Sequence, residues 1–115
     1  MKVNRWGIFR ANLDPVIGSE QGKTRPVLVI SDNEINSLLN CVNVIPITSK
    51  KIGRIIYPNE VLLPEGDYNL PNPSIILCHQ IRTLDKRRLS HKYGNIEDSV
   101  LQAEIMDALS FQLGF

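Results

Sequence analysis

Ligand-spaced histidine and cysteine are missing from this chain. It has two of each, with no H-x-x-x-H or C-x-x-C and few carboxylates around them, so metal-independent chemistry is expected and no cofactor is implied. Cys78 and His79 are adjacent, which on a strand turns them to opposite faces and away from a common ion. Cys41 and Cys78 each lie in apolar, strand-like text, where a free thiol behaves as a small buried hydrophobe. A reduced pair is expected, with a disulfide or a metal pair as the alternative. Long apolar runs are missing too. Nothing approaches the roughly 20 residues of a membrane span, and MKVNRWGIF carries no apolar segment behind its basic residues, so a soluble, cytoplasmic, unexported protein is expected.

Two catalytic signatures are also absent. No G-x-S-x-G occurs, and GSEQG places its serine in a turn before a strand rather than between strand and helix. Gly22-Lys23-Thr24 reads like the end of a phosphate-binding loop, yet Gly18 stands four residues back instead of five and a strand follows. Aromatic residues make up 6% of the chain, too few for a continuous aromatic platform; Trp6, Phe9 and Tyr57 are expected in the core or at an interface. There is no internal repeat or low-complexity segment.

What is present is a charge pattern hidden by a net charge of +1. Residues 1–25 carry five basic and two acidic groups, residues 50–54 three basic, and residues 82–92 five basic and one acidic. Residues 93–115 carry four acidic groups and no Lys or Arg. If the basic segments meet in space they form a local anion-attracting surface; otherwise they are solvated loops.

The 115 residues suit a single domain (1–115) and are too few for two full cores. Short extended runs recur at Trp6–Leu13, Pro26–Ser31, Val42–Ile47, Arg54–Tyr57, Glu60–Leu63 and Ser74–Arg82. Asp14-Pro15, Gly18, Gly22, Pro64-Glu65-Gly66 and Pro71-Asn72-Pro73 separate them, which indicates a mainly antiparallel β protein, a barrel or small sandwich. Residues 32–40 suit a short helical turn capped by Asp32 or Asn33. From Asp98 onward Val100, Leu101, Ile105, Ala108, Leu109 and Leu113 follow helical spacing. Ser99 with Gln102 fits a capping box, and Gly114 suits the residue after the helix. This C-terminal helix is expected to cover the open side of the barrel or meet a second subunit.

Chemistry is then left to an arginine and some hydroxyls. Arg25 stands at the entrance of the strand Pro26–Ile30, where its planar fork suits a phosphate; the alternative is a structural pairing with Glu20 or a carbonyl. Pro46-Ile47-Thr48-Ser49 ends an apolar strand in two hydroxyls before Lys50-Lys51. Thr48 can exchange a hydrogen bond with a reacting oxygen, or simply be a β-branched strand residue.

Together, Leu13-Asp14-Pro15, Gly18-Ser19-Glu20-Gln21-Gly22, the run Thr24–Ser31, Pro46-Ile47-Thr48-Ser49 and Gln80-Ile81-Arg82-Thr83-Leu84-Asp85-Lys86 with Arg88-Leu89 resemble the MazF/PemK (Kid) family of toxin ribonucleases. The blocks keep the family's order over nearly the whole chain. The resemblance implies an SH3-like barrel of the CcdB/MazF type with a C-terminal α-helix, a homodimer, and the toxin of a type II toxin–antitoxin system. It implies sequence-specific, metal-independent cleavage of single-stranded RNA, by 2′-OH attack to 2′,3′-cyclic phosphate and 5′-OH ends, and a cognate antitoxin that occupies the RNA groove. Carried over by motif, Arg25 and Thr48 are the catalytic pair; Ser19, Glu20, Gln21, Ser49, Gln80 and Arg82 contact substrate. Family members often place Asp or Glu after a glycine on the first strand, whereas this chain reads Trp6-Gly7, so an acidic contact there is in doubt. A gyrase-poisoning toxin resembling CcdB shares the barrel and is the alternative, and a passive SH3-like peptide-binding module ranks behind it.

Overall fold

The computed structural model describes residues 1–64 and 67–115. Seven strands form one sheet: β1 (Gly7–Asn12), β2 (Thr24–Val29), β3 (Cys41–Ser49), β4 (Glu60–Leu63), β5 (Ser74–Leu77), β6 (Arg82–Asp85) and β7 (Leu89–Asn95). Helix α1 (Asn33–Leu38) joins β2 to β3, and α2 (Ser99–Leu113) closes the chain. The order across the sheet is β4-β5-β3-β2-β1-β7, with β6 also paired to β3. All pairings are antiparallel, and no ladder among the described residues joins β7 back to β4 or β6, so the barrel is not closed.

The expected run Ser74–Arg82 is therefore two strands on one edge of β3. β6 pairs with its first half, from Cys41↔Asp85 to Val44↔Arg82, and β5 with its second, from Ile47↔Ile76 to Ser49↔Ser74. Between them the chain bulges out as a 3-10 turn, Cys78–Gln80, opposite Pro46, which has no N–H to offer a ladder.

Alternation along the strands buries both faces of the sheet. Phe9, Ala11, Leu13, Val27, Val29, Val42, Val44, Leu84 and Leu89 form one core cluster on one face of the sheet. Ile8, Leu28, Ile45, Ile47 and Ile76 point the other way and meet Ile105, Ala108 and Leu109 of α2. Two core layers across β1–β3 hold these strands rigidly, since each fully buried aliphatic side chain contributes about 1.5–3 kcal/mol.

Several expectations need correction. Arg54–Tyr57 is not a strand: the Arg54 guanidinium pairs with Glu60 at 2.6 Å and the Tyr57 amide donates to the same carboxylate at 2.9 Å, which folds the segment into a loop with Ile55 and Tyr57 exposed. β7 was not anticipated, because only Leu89 in LSHKYGN is buried. The helix cap is Asp98, whose carboxylate accepts from Val100 and Leu101 N–H, in place of Ser99. Gln102 donates to the Ile96 carbonyl rather than completing a capping box. Gly114 does terminate α2, in the left-handed region at φ 79°. Val100 and Leu113 are exposed and not in the core. Asp32 caps α1 as expected. Both cysteines are free, but Cys41 is exposed at the start of β3; only Cys78 is buried, and burial pushes its thiol up to about 11. Of the expected turn Pro64-Glu65-Gly66, Glu65 and Gly66 lie outside the described residues.

Candidate functional site

Arg25 and Thr48 meet because β2 and β3 are neighbours. Arg25 enters β2 opposite Ala11 of β1, and buried Val27 to Val29 anchor the strand behind it. Thr48 lies near the end of β3, paired with Ile75. Arg25 Nε donates to the Gly22 carbonyl at 2.7 Å and Nη1 to Thr48 Oγ1 at 3.2 Å. Two of the five N–H donors of a guanidinium are thus used to fix its plane, and three are left. Because Thr48 Oγ1 accepts from Arg25, its own hydroxyl proton is directed elsewhere. The carbonyl pairing foreseen for Arg25 is made and the Glu20 pairing is not: Glu20 Oε1 accepts from the Ile17 amide at 2.7 Å.

The loop between β1 and β2 is closed from within and strapped from outside. Leu13 N–H donates to Lys23 O at 2.8 Å, and Lys23 N–H to Asp14 Oδ1 at 2.8 Å. Gly22 lets the loop pack closely here: a Cβ at this position would lie 2.7 Å from both Asp14 Oδ1 and Val16 Cγ2 and would push one of these side chains aside. Gln80, in the 3-10 turn, accepts from Gln21 N–H at 3.1 Å and donates to Ser19 O at 3.2 Å. Arg82 donates to Leu13 O at 3.0 Å. Gln80 and Arg82 thus hold the loop. Arg88 does so as well, donating to Asn12 O at 3.1 Å and Asp14 O at 2.8 Å; this role had no local signal in the sequence. Gln21 Oε1 is buried with no hydrogen-bond partner among the described residues.

Three concavities run along this surface. Arg25, Thr48, Ser49 and Tyr93 line one of about 280 Å³. Thr48 and Ser49 also line the next, about 540 Å³, with Ser19, Gln21, Lys51, Arg54, His79 and Gln80. Ser19, His79 and Gln80 are shared with a third of about 450 Å³, which adds Glu20 and Arg82. All eight residues singled out from the sequence fall along this one groove, and the three basic segments converge on it through Arg25, Lys51, Arg54 and Arg82. Lys51, Arg54 and His79 were not singled out; the helical bulge that exposes His79 has no signature in the text. Arg54 is spent on Glu60, and its hydrogen bonds hold that carboxyl below the usual carboxylate range, helped by the Tyr57 amide. Among the described residues no His, Cys, Asp or Glu group is arranged to hold a metal ion, and no helix is long and apolar enough to cross a membrane.

Over residues 4–113 the sequence matches the family described as PemK-like, MazF-like toxin of type II toxin-antitoxin system. It is 35% identical to Endoribonuclease EndoA of Bacillus subtilis over 113 residues, covering 98% of this chain and 96% of that protein. The fold superposes on MazF (Form-I) from Deinococcus radiodurans with a TM-score of 0.83 at 28% identity, covering 100% of this chain and 99% of that one. It superposes on MazE-MazF (Form-II) from the same organism with a TM-score of 0.74 at 28% identity, covering 100% and 98%.

Proposed function

The chain belongs to the family of PemK-like, MazF-like toxins of type II toxin-antitoxin systems, and from that premise we propose that it is the toxin endoribonuclease of such a system. Its substrate is single-stranded RNA, its site of action the cytoplasm, its working form a homodimer, and its antagonist a cognate antitoxin that covers the groove. The observation that carries this reading is the Arg25 guanidinium, oriented by Gly22 O and Thr48 Oγ1 on two buried strands, with three donors left for an anion. The nuclease is favoured over the gyrase-poisoning toxin of the same barrel because the relative sharing 35% of its sequence is an endoribonuclease.

RNA brings its own nucleophile. The 2′ oxygen bonds to phosphorus as the bond from phosphorus to the 5′ oxygen breaks, leaving a 2′,3′-cyclic phosphate. The proton released by the 2′-OH is matched by one gained at the 5′ oxygen. No step needs an added water or ion, so the protein's work is to align the phosphate and hold the extra charge of the phosphorane. Arg25 serves the second task, since its planar fork of N–H donors matches the oxygens of the phosphorane. Thr48 directs its hydroxyl toward the phosphate and relays a proton. Ser19, Glu20, Gln21 and Ser49 line the path of the strand, while Gln80 and Arg82 hold the loop that covers it.

The test is to incubate purified protein with a mixed RNA in EDTA and map the products. Cyclic phosphate and 5′-OH ends at a restricted set of sites are expected, and Arg25→Ala should cut at least about 10²–10³-fold more slowly with an unchanged circular dichroism spectrum. Strict dependence on added Mg²⁺, or near-normal cutting by folded Arg25→Ala, overturns the reading.

A further inference from the structure

Resting on the nuclease reading, we propose that His79 is a specificity-determining residue: its imidazole is the platform on which the base next to the cleaved phosphate stacks, on the side of the groove away from Arg25. Its position in the fold is one argument. Cys78 is buried in the core, and the 3-10 turn that follows sends His79 outward, where it is exposed. The first two concavities meet at Thr48 and Ser49, and the second and third at Ser19, His79 and Gln80. A strand that passes its phosphate by Thr48 and continues along the groove enters the concavity that Thr48 and His79 both line.

Chemistry is the other argument. Unstacked RNA bases are held on planar side chains, histidine included. Among the described residues no Phe, Tyr or Trp lines the second or third concavity, and His79 is the one aromatic ring there. Its neighbour Gln80 has its amide engaged by the loop on both sides. The His79 ring, by contrast, makes no hydrogen bond among the described residues; its electrostatic neighbour Glu60 is already held by Arg54. A planar ring left unengaged in a cationic groove is suited to a base.

The experiment uses the full chain and a labelled single-stranded RNA oligonucleotide carrying a cut site mapped with the wild type. His79→Ala is expected to raise KM about 10-fold with kcat changed far less, and to relax the base preference at one position beside the cut. His79→Tyr, which keeps a ring, should restore both, and His79→Gln, which keeps hydrogen bonding without a ring, should not. Rescue by Gln and not Tyr overturns stacking, as do an unchanged KM and cut-site profile in folded His79→Ala. A wild type that cuts no RNA overturns the nuclease reading and this inference with it, whereas normal cutting with an indifferent His79 overturns this inference alone.

Discussion

At the scale of single residues, holding the loop and touching the phosphate are separate tasks, and Gln80 shows the division. Its amide makes two hydrogen bonds to loop backbone, and a net hydrogen bond contributes about 0.5–1.5 kcal/mol. Gln80→Ala is therefore expected to raise KM for RNA by about 10-fold while kcat stays within about 3-fold, with faster amide hydrogen exchange at Gln21. An equal fall in kcat and kcat/KM would instead place Gln80 at the reacting atoms. Arg25 and Thr48 stand out in the sequence as candidates because each lies where an apolar run meets polar text, while the roles proposed for them come from the family resemblance. The grip of Gln80 was not legible, since it joins residues 59 and 61 positions apart and no local pattern encodes such a pair. His79 carries no motif in the sequence, because only the 3-10 turn directs it toward the groove.

At the scale of elements, the segment from Arg54 to Glu60 couples the groove to acidity. Both Arg54 and the Tyr57 amide bind the Glu60 carboxylate, so its folded value lies below its ordinary one. A carboxyl lowered in this way gives stability that is complete above its unfolded value, about 4.3, and that is lost as pH falls through the lower folded value. Urea midpoints measured from pH 6 down to pH 2.5 should fall less steeply for Glu60→Gln than for the wild type, and parallel curves would show that the pair contributes nothing. The same segment misled the sequence reading. Ile55, Ile56 and Tyr57 look like a strand until the carboxylate is placed, and propensity yields to that buried acceptor. β7 failed in the opposite sense, since its partner β1 supplies order that its polar text does not announce. α2 was legible from its period and its terminal glycine, with its cap shifted by one residue and Val100 and Leu113 left exposed at its ends.

For the whole molecule, charge segregation takes on a shape. Basic groups from distant segments gather on the groove, while α2, which holds Glu104 and Asp107 of the acidic segment, packs against β4 and the Cys78–Gln80 turn. With Arg25 and Lys51 meeting phosphates, condensed cations are released from the strand, and a slope of about −0.7 per contact predicts an affinity loss of about 7-fold between 50 and 200 mM salt. KM titrated against KCl checks this, and Lys51→Ala should flatten the slope by about 0.7. A KM indifferent to salt would mean that the phosphates are held elsewhere. The open sheet, with no ladder among the described residues from β7 to β4 or β6, was beyond the sequence, because strand rhythm marks extended runs and not whether their edges meet.

The strap across the β1–β2 loop has a consequence for descent. Arg25 and Thr48 are fixed by the two core layers, whereas the loop is held mainly through its own backbone carbonyls and amides, which every residue type supplies. The side chain of Ser19, which gives the strap only its carbonyl, is thus able to drift without disturbing the grip or the strands, whereas Glu20 also accepts from the Ile17 amide within the loop and Gln21 Oε1 is buried. A lineage of this protein is free to change the words it cuts while the blade is inherited unaltered.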